Sequence, residues 1–229
     1  MRTPLVARPA AFAWMQRTVG VTNVKMNAVK SAARWAQAVL ALWAVAGAAL
    51  AQADEARARK IVNGVCFICH GAEGESSSEV FPRLAGQHWE YIAKQLDNFK
   101  TGKRKSTAMA DMVARLTPDE MVALGKYFEK QAVHAAPPKD AALAGVGRYI
   151  FQYGNKYSGV AACMSCHGEG ALGTTNLPRL AGQYAAYIES QLKLFNQRER
   201  TNDNAIMHSI ASKMTPLEMA AVAEYLSGK

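Results

Sequence analysis

All four cysteines of this 229-residue chain lie in two short clusters, and a histidine follows each cluster directly. The first cluster reads C-F-I-C-H from Cys66 to His70, and the second reads C-M-S-C-H from Cys163 to His167. This spacing predicts covalent attachment of c-type haem, because two thiols can add to the two vinyl groups of one haem and the adjacent histidine can bind its iron. We therefore predict two covalently bound haem c groups, attached through Cys66, Cys69, Cys163 and Cys166, with His70 and His167 as iron ligands.

The same pattern has two alternative interpretations, a redox-active dithiol and a cysteine-rich zinc site. A redox dithiol does not require histidine at the next position. Each pentapeptide here follows a predicted helix, precedes a glycine and lies in a chain with the features of an exported protein. This combination favours haem.

A second axial ligand for each iron is expected among the ten methionines, although most methionines only fill hydrophobic cores. Comparison of the two clusters' flanking sequences pairs Met109 with Met207, each in a predicted loop about 40 residues after its motif. A loop methionine can turn its thioether onto iron, so we predict Met109 and Met207 as ligands. Met121 pairs with Met219, but both lie in a predicted helix, where core packing is the expected role. Surface or packing roles are expected for the three remaining histidines, which are His88, His134 and His208.

The sequence after residue 53 is a tandem repeat with offsets of 96 to 98 residues. The segment P-R-L-A-G-Q occurs at residues 82–87 and again at 178–183, and the haem motif recurs in the same relative place. Such self-similarity indicates two copies of one structural unit. We predict domains at residues 54–135 and 136–229, joined by a stiff connector around Pro137 and Pro138. The short connector implies that the two halves pack against each other.

Both halves are predicted to be helical, which makes the chain all-α. Thr117 and Thr215 each begin a T-P-x-E segment, in which threonine caps a helix, proline fits its first turn and glutamate completes a capping box. No convincing period-two strand pattern occurs. Further helices are predicted at residues 54–65, 89–99, 140–153 and 185–195.

Residues 1–53 carry six basic and no acidic side chains and have the pattern of a secretory signal peptide. A basic start at Lys30 and Arg34 is followed by an apolar run and small residues, with cleavage expected after Ala53 or, alternatively, after Ala51. A secretory n-region is normally short, so Met26 is a candidate translation start. An uncleaved membrane anchor is the alternative, but the apolar run is short for a span. We therefore expect a periplasmic protein.

The charge of the chain argues against nucleic-acid binding. The formal net charge is +9, but residues 54–229 contain 21 basic and 18 acidic side chains, which gives no strongly basic face. One basic run stands out, formed by Lys100, Lys103, Arg104 and Lys105. We interpret it as a solvated helix end, where cations favour the carbonyl dipoles. A docking patch for an acidic partner is the alternative.

The paired motifs resemble those of the dihaem cytochrome c4 family. The resemblance covers both halves from about residue 56 and rests on C-x-x-C-H-G, P-R-L-A-G-Q, the loop methionine and the closing helix, each present twice. It implies two tandem class I cytochrome c domains, all-α and related by a pseudo-two-fold axis, with the haems near the domain interface. It also implies that Pro82 and Pro178 lie beside the proximal histidines, where a carbonyl accepts the imidazole N–H.

The expected function is electron transfer without catalysis, because His/Met ligation fills both axial positions and raises the haem potential. The resemblance implies a carrier in a respiratory chain, between a membrane quinol-oxidising complex and a terminal oxidase, which is compatible with peripheral association with the membrane. One alternative is the cytochrome subunit of a flavin-dependent dehydrogenase, such as one that oxidises sulfide. A dihaem peroxidase is a second alternative, but it needs an open iron position, which two matched methionines argue against.

Overall fold

The structure is a computed structural model that describes residues 52–229 and the isolated positions 37, 43 and 47. The rest of the predicted export signal, including Met26 and Ala51, lies outside the described residues. Within the described part of the chain, no helix is long and apolar enough to cross a bilayer.

The first half is built from helices around its haem motif. Residues 52–61 are helical and form α1, which continues through a π-helical segment, Val62–Cys66, into α2, Phe67–His70. Three further helices complete this half, namely α3 (Trp89–Lys100), α4 (Thr107–Val113) and α5 (Pro118–Glu129).

The second half repeats this order. Its helices are α6 (Ala141–Tyr153), α7 (Met164–His167), α8 (Ala185–Asn196), α9 (Ile206–Ala211) and α10 (Pro216–Ser227). Between residues 52 and 229 the only extended pairings are two isolated bridges, Asn155 with Val160 and Thr174 with Leu177. The all-α prediction is therefore confirmed.

The two T-P-x-E segments form the predicted capping boxes. The Thr117 hydroxyl accepts a hydrogen bond from the Glu120 N–H (3.2 Å), and the Glu120 carboxylate accepts one from the Thr117 N–H (2.7 Å). Thr215 and Glu218 repeat both bonds at the same lengths. Burial alone would raise the pKa of Glu218, but hydrogen bonds from Asn155 and Thr215 hold it below its usual value. Local chemistry thus fixes where α5 and α10 begin.

Met109 and Met207 lie in short helices, not in the loops that the sequence predicted. Ser106 caps α4, because its hydroxyl accepts a hydrogen bond from the Met109 N–H (3.3 Å). In the second half, the Asp203 carboxylate accepts one from the Met207 N–H. Helices of seven and six residues are too short for apolar periodicity to identify them.

Each half has its own hydrophobic core. The first core lies between α1, α3 and α5, and the second lies mainly between α6, α8 and α10. Helices α6 and α10 approach closely at Gly147, where a methyl group would overlap the Ala221 carbonyl. The most deeply buried large side chains are Phe128, Leu124, Val62 and Val113 in the first core and Phe151, Met219 and Leu226 in the second.

The halves meet through buried polar side chains that include two arginines. Arg104 and Arg200 are 9% and 8% exposed, and each guanidinium donates to a tyrosine and a glutamine of the other half while lying over a phenylalanine ring of its own. The partners of Arg104 are Tyr187 (2.8 Å), Gln191 (2.9 Å) and Phe99 (4.6 Å to the ring centre), and those of Arg200 are Tyr91 (2.9 Å), Gln95 (3.3 Å) and Phe195 (4.5 Å).

This network corrects the interpretation of the basic run after α3. Arg104 belongs neither to a solvated helix end nor to a docking patch, because the interface between the halves buries it. The lysines at positions 100, 103 and 105 are exposed, as expected of a solvated segment.

Burial alone would raise the pKa of Tyr91, but the positive charges of Arg200 and Arg104 lower it below its usual value.

The close approach of α6 and α10 yields a prediction with a matched control in one helix. Gly147→Ala should lower the free energy of unfolding by about 1–3 kcal/mol, because the new methyl group has no room against α10. Gly145→Ala should raise it by roughly 0.5–1 kcal/mol, because nothing lies within 4 Å of the added methyl group and alanine favours a helix. Chemical denaturation measures both changes, and equal effects at the two positions would contradict the packing described.

Candidate haem-binding sites

The two thiols of each motif lie on one helical turn. Cys66 and Cys69 span the junction of the π-helical segment with α2, while Cys163 immediately precedes α7 and Cys166 lies within it. Residues three apart in a helix share one face, so both thiols of a pair can reach the same group. The glycine after each histidine has a positive φ, 75° and 77°, which ends the turn.

Neither alternative to haem finds support in the arrangement of these side chains. The four cysteines form no disulfide. Burial raises the pKa of the Cys66 thiol and raises that of Cys163 to about 11, with a smaller contribution from Cys166. A redox-active dithiol needs the opposite shift. A zinc site is not supported either, since no three His, Cys, Asp or Glu side chains converge within residues 52–229.

The two motif histidines are buried, oriented and neutral. His70 is 8% exposed and His167 is 7% exposed. The Pro82 carbonyl lies 2.9 Å from His70 Nδ1, and the Pro178 carbonyl lies 3.2 Å from His167 Nδ1, so the contact implied by the family resemblance is confirmed. A carbonyl can only accept, so Nδ1 carries the proton and Nε2 keeps its lone pair.

The protonation of these histidines suits metal binding. Burial lowers the pKa of both imidazoles, and the hydrogen bonds to Pro82 and Pro178 oppose this only in part. The side chains are therefore neutral at pH 7, which is the form that binds metal ions. A fixed Nδ1–H bond also sets the ring orientation and raises the basicity of Nε2.

In each half the first cysteine and the predicted methionine ligand pack against the same hydrophobic core. Cys66 and Met109 contact the first core, and Cys163 and Met207 contact the second. Thiol, imidazole and thioether groups around an apolar core are the donor set that a covalently attached haem requires, so the residues of both halves fit this cofactor. When bound, haem supplies a one-electron centre.

The competing side chains have other partners. Met121 and Met219 are 4% and 2% exposed and belong to the two cores, as expected for packing residues. His88 Nε2 lies 2.8 Å from the Leu172 carbonyl, and His208 Nδ1 lies 2.9 Å from the Phe195 carbonyl. His134 is exposed in the connector.

Comparisons with known proteins divide the chain as its motifs do. Residues 151–228 match the family Cytochrome c, and residues 53–128 match the family described as Cytochrome C oxidase, cbb3-type, subunit III. Cytochrome c4 of Thiocapsa roseopersicina is 41% identical over 183 residues, covering 77% of this chain and 91% of the relative. The chain belongs to the cytochrome c4 family.

Further similarities agree with membership of the cytochrome c4 family. The crystal structure of reduced recombinant cytochrome c4 from Pseudomonas stutzeri is 34% identical, with a TM-score of 0.71, and the match covers 75% of this chain and 96% of that one. A protein named thiosulfate dehydrogenase electron acceptor, from Thiomonas intermedia (strain K12), is 37% identical over 72% of this chain and 78% of its own length.

As a cytochrome c4, this protein is a dihaem electron carrier with two c-type domains and covalently bound haem c. The predicted family, fold class and cofactors are thereby confirmed. The individual ligands remain predictions, with Cys66, Cys69, Cys163 and Cys166 for attachment and His70, Met109, His167 and Met207 for the two irons.

The ligand assignment predicts different outcomes for two methionines of the second half. Met207→Ala should remove the second haem's share of the weak far-red absorption band of methionine-ligated ferric haem, and should lower that haem's potential, because a thioether favours ferrous iron. Met219→Ala is the control and should cost about 2–5 kcal/mol of stability while leaving both iron spectra intact. Loss of the band in Met219→Ala with its retention in Met207→Ala would refute the assignment.

Proposed function

We propose that this protein carries electrons in the periplasm from a quinol-oxidising complex to a membrane-bound terminal oxidase. The observation that carries the proposal is the matched pair of donor sets, a buried neutral histidine and a core-packed methionine in each half. His70 and Met109 would hold the first iron and His167 and Met207 the second, and irons held in this way would have no place for substrate. His/Met ligation also favours the reduced state, which suits acceptance of electrons from quinol oxidation.

The same observation argues against peroxidase activity. A dihaem peroxidase needs at least one iron that is open or easily uncovered. Met109 and Met207 occupy equivalent places on short helices, and in each half a side chain accepts a hydrogen bond from the methionine N–H, Ser106 in the first half and Asp203 in the second. The two halves therefore offer no difference in ligand supply that would make one haem catalytic.

The periplasmic location follows from the secretory pattern at the N-terminus together with covalent haem attachment. A covalently attached cofactor cannot be lost by dilution after export. The signal sequence also explains why the basic excess is concentrated in residues 1–53, since the remaining 176 residues are close to neutral.

A second candidate function is that of the electron-accepting subunit of a dehydrogenase. The relative from Thiomonas intermedia is named a thiosulfate dehydrogenase electron acceptor, and it matches most of this chain. A flavin-dependent partner, such as a sulfide dehydrogenase, would use the same dihaem layout. In either case the chemistry on the substrate would belong to the partner, because fold alone does not fix the partner of a carrier.

Oxidation of the reduced protein by membranes distinguishes these candidates. Protein purified from the exported fraction should show two haem additions on a chain that begins at Asp54 or Gln52. After reduction it should be reoxidised rapidly by membranes that contain terminal oxidase, and quinol should reduce it again through the same membranes. Slow electron transfer between the protein and these membranes would contradict the proposed route. The second candidate would be supported if, in addition, the protein co-purified with a substrate-oxidising dehydrogenase and was rapidly reduced by it.

A further inference from the structure

Two buried glutamines cross the interface and bind the backbone of the opposite half. The side-chain amide of Gln183 accepts a hydrogen bond from the Arg83 N–H and donates one to the Arg83 carbonyl, both at 2.9 Å. Gln87 makes the same two contacts with Arg179, also at 2.9 Å. Both glutamines are at most 9% exposed. Each glutamine therefore pairs with both the N–H and the carbonyl of one arginine across the pseudo-two-fold axis.

The orientation of each amide is fixed by a second donor in its own half. Gln183 Oε1 also accepts a hydrogen bond from the Tyr184 N–H (3.1 Å), and Gln87 Oε1 accepts one from the His88 N–H (3.2 Å). Two N–H groups face the oxygen and a carbonyl faces the nitrogen, so a flipped amide would lose all of these bonds. The oxygen is thus held against the N–H of the opposite arginine.

These contacts place each glutamine in a chain of hydrogen bonds that ends at a histidine of the other half. The Arg83 N–H and the Pro82 carbonyl are the two ends of one peptide group. That carbonyl accepts from His70 Nδ1 at 2.9 Å, while the N–H donates to Gln183. In the same way, the peptide group between Pro178 and Arg179 joins His167 to Gln87.

A peptide group transmits polarisation between its two ends. An acceptor held against the N–H increases the negative charge on the carbonyl oxygen, and chains of hydrogen bonds strengthen one another in this way. A stronger acceptor at Nδ1–H makes the imidazole a more basic ligand. A more basic histidine stabilises the ferric state relative to the ferrous state.

We propose that Gln183 is a positioning residue for His70 and that Gln87 is one for His167, so that each half adjusts the haem potential of the other. The proposal rests on the proposed function in one respect, because it takes His70 and His167 to be the iron ligands. It goes further in assigning the control of each centre to a residue of the opposite half. Docking of the halves then sets both potentials.

Two substitutions of Gln183 isolate the hydrogen bond that matters. Gln183→Leu and Gln183→Glu both lose the donor to the Arg83 carbonyl, but only Glu keeps an acceptor for the Arg83 N–H. Gln183→Leu should raise the potential of the first haem, increasing its ferrous-to-ferric ratio at a fixed ambient potential by about threefold, or ~28 mV for a one-electron couple. Gln183→Glu should not raise it. The second haem should be unchanged in Gln183→Leu.

The measurement is a redox titration followed by NMR, in which each haem gives its own signals, together with hydrogen exchange at the Arg83 amide. That amide should exchange faster in Gln183→Leu than in Gln183→Glu. Gln87→Leu should raise the potential of the second haem, and Gln87→Glu should not. These two variants test the proposal if Gln183→Leu does not fold. Tyr184→Phe is the control, since it removes only the hydroxyl contacts with the Ser76 and Glu75 carbonyls across the same interface and leaves the Gln183 amide in place.

The pattern of shifts decides the proposal. A shift confined to the opposite haem supports it. In the leucine variants, a shift in the haem of the substituted half, equal shifts in both haems, or no shift would overturn it and leave the glutamines as interface contacts only. The far-red band of the wild-type protein tests His/Met ligation separately, and its absence would contradict the proposed function. If the band is present but the potential shift is not confined to the haem of the opposite half, only the assignment of the glutamines is contradicted.

Discussion

The hydrogen bond from each motif histidine to a proline carbonyl is the contact on which both halves depend. It fixes the ring, keeps the proton on Nδ1 and leaves Nε2 free, and it requires the P-R-L-A-G-Q segment to pass beside the motif. Backbone bonds hold that segment in its own half. Gly86 N–H donates to the Phe128 carbonyl at the end of α5, and Gly182 N–H donates to the Leu226 carbonyl near the end of α10, both at 2.9 Å. Helix α5 thereby supports His70 through the backbone, and α10 supports His167 in the same way.

The same segments also join the halves, which links haem support to domain docking. Reciprocal glutamine contacts and the buried Arg104 and Arg200 make this interface polar and highly specific, because each lost partner would leave a buried group unsatisfied. Two guanidinium groups near one another are costly to bury. Hydrogen bonds to tyrosine and glutamine and contact with phenylalanine rings offset that cost. Such an interface favours one fixed arrangement of the halves over two loosely tethered domains.

The sequence predicted those features whose cause is local. The cysteine spacing, the T-P-x-E helix starts and the duplicated segments each depend on a few neighbouring residues, and the structure contains the helices that they imply. The short helices that carry Met109 and Met207 could not be predicted, because one or two turns are too short to show periodicity. The burial of Arg104 was also missed, since it arises from contacts with residues more than 80 positions away.

The sequence contains one signal for the glutamine contacts. Gln87 and Gln183 end the two copies of P-R-L-A-G-Q, so their duplication marked them as important. Their partners could not be predicted, because each binds the opposite copy of its own motif. Only the placement of the two halves relative to each other reveals that the contacts cross.

The two halves form one two-centre carrier, and electron redistribution between the haems tests this most directly. After reduction with less than one electron per protein, the two haems should reach equilibrium at a rate that does not depend on protein concentration, because transfer occurs within one docked molecule. A rate that rises in proportion to protein concentration would show that electrons move between molecules, and it would contradict the account.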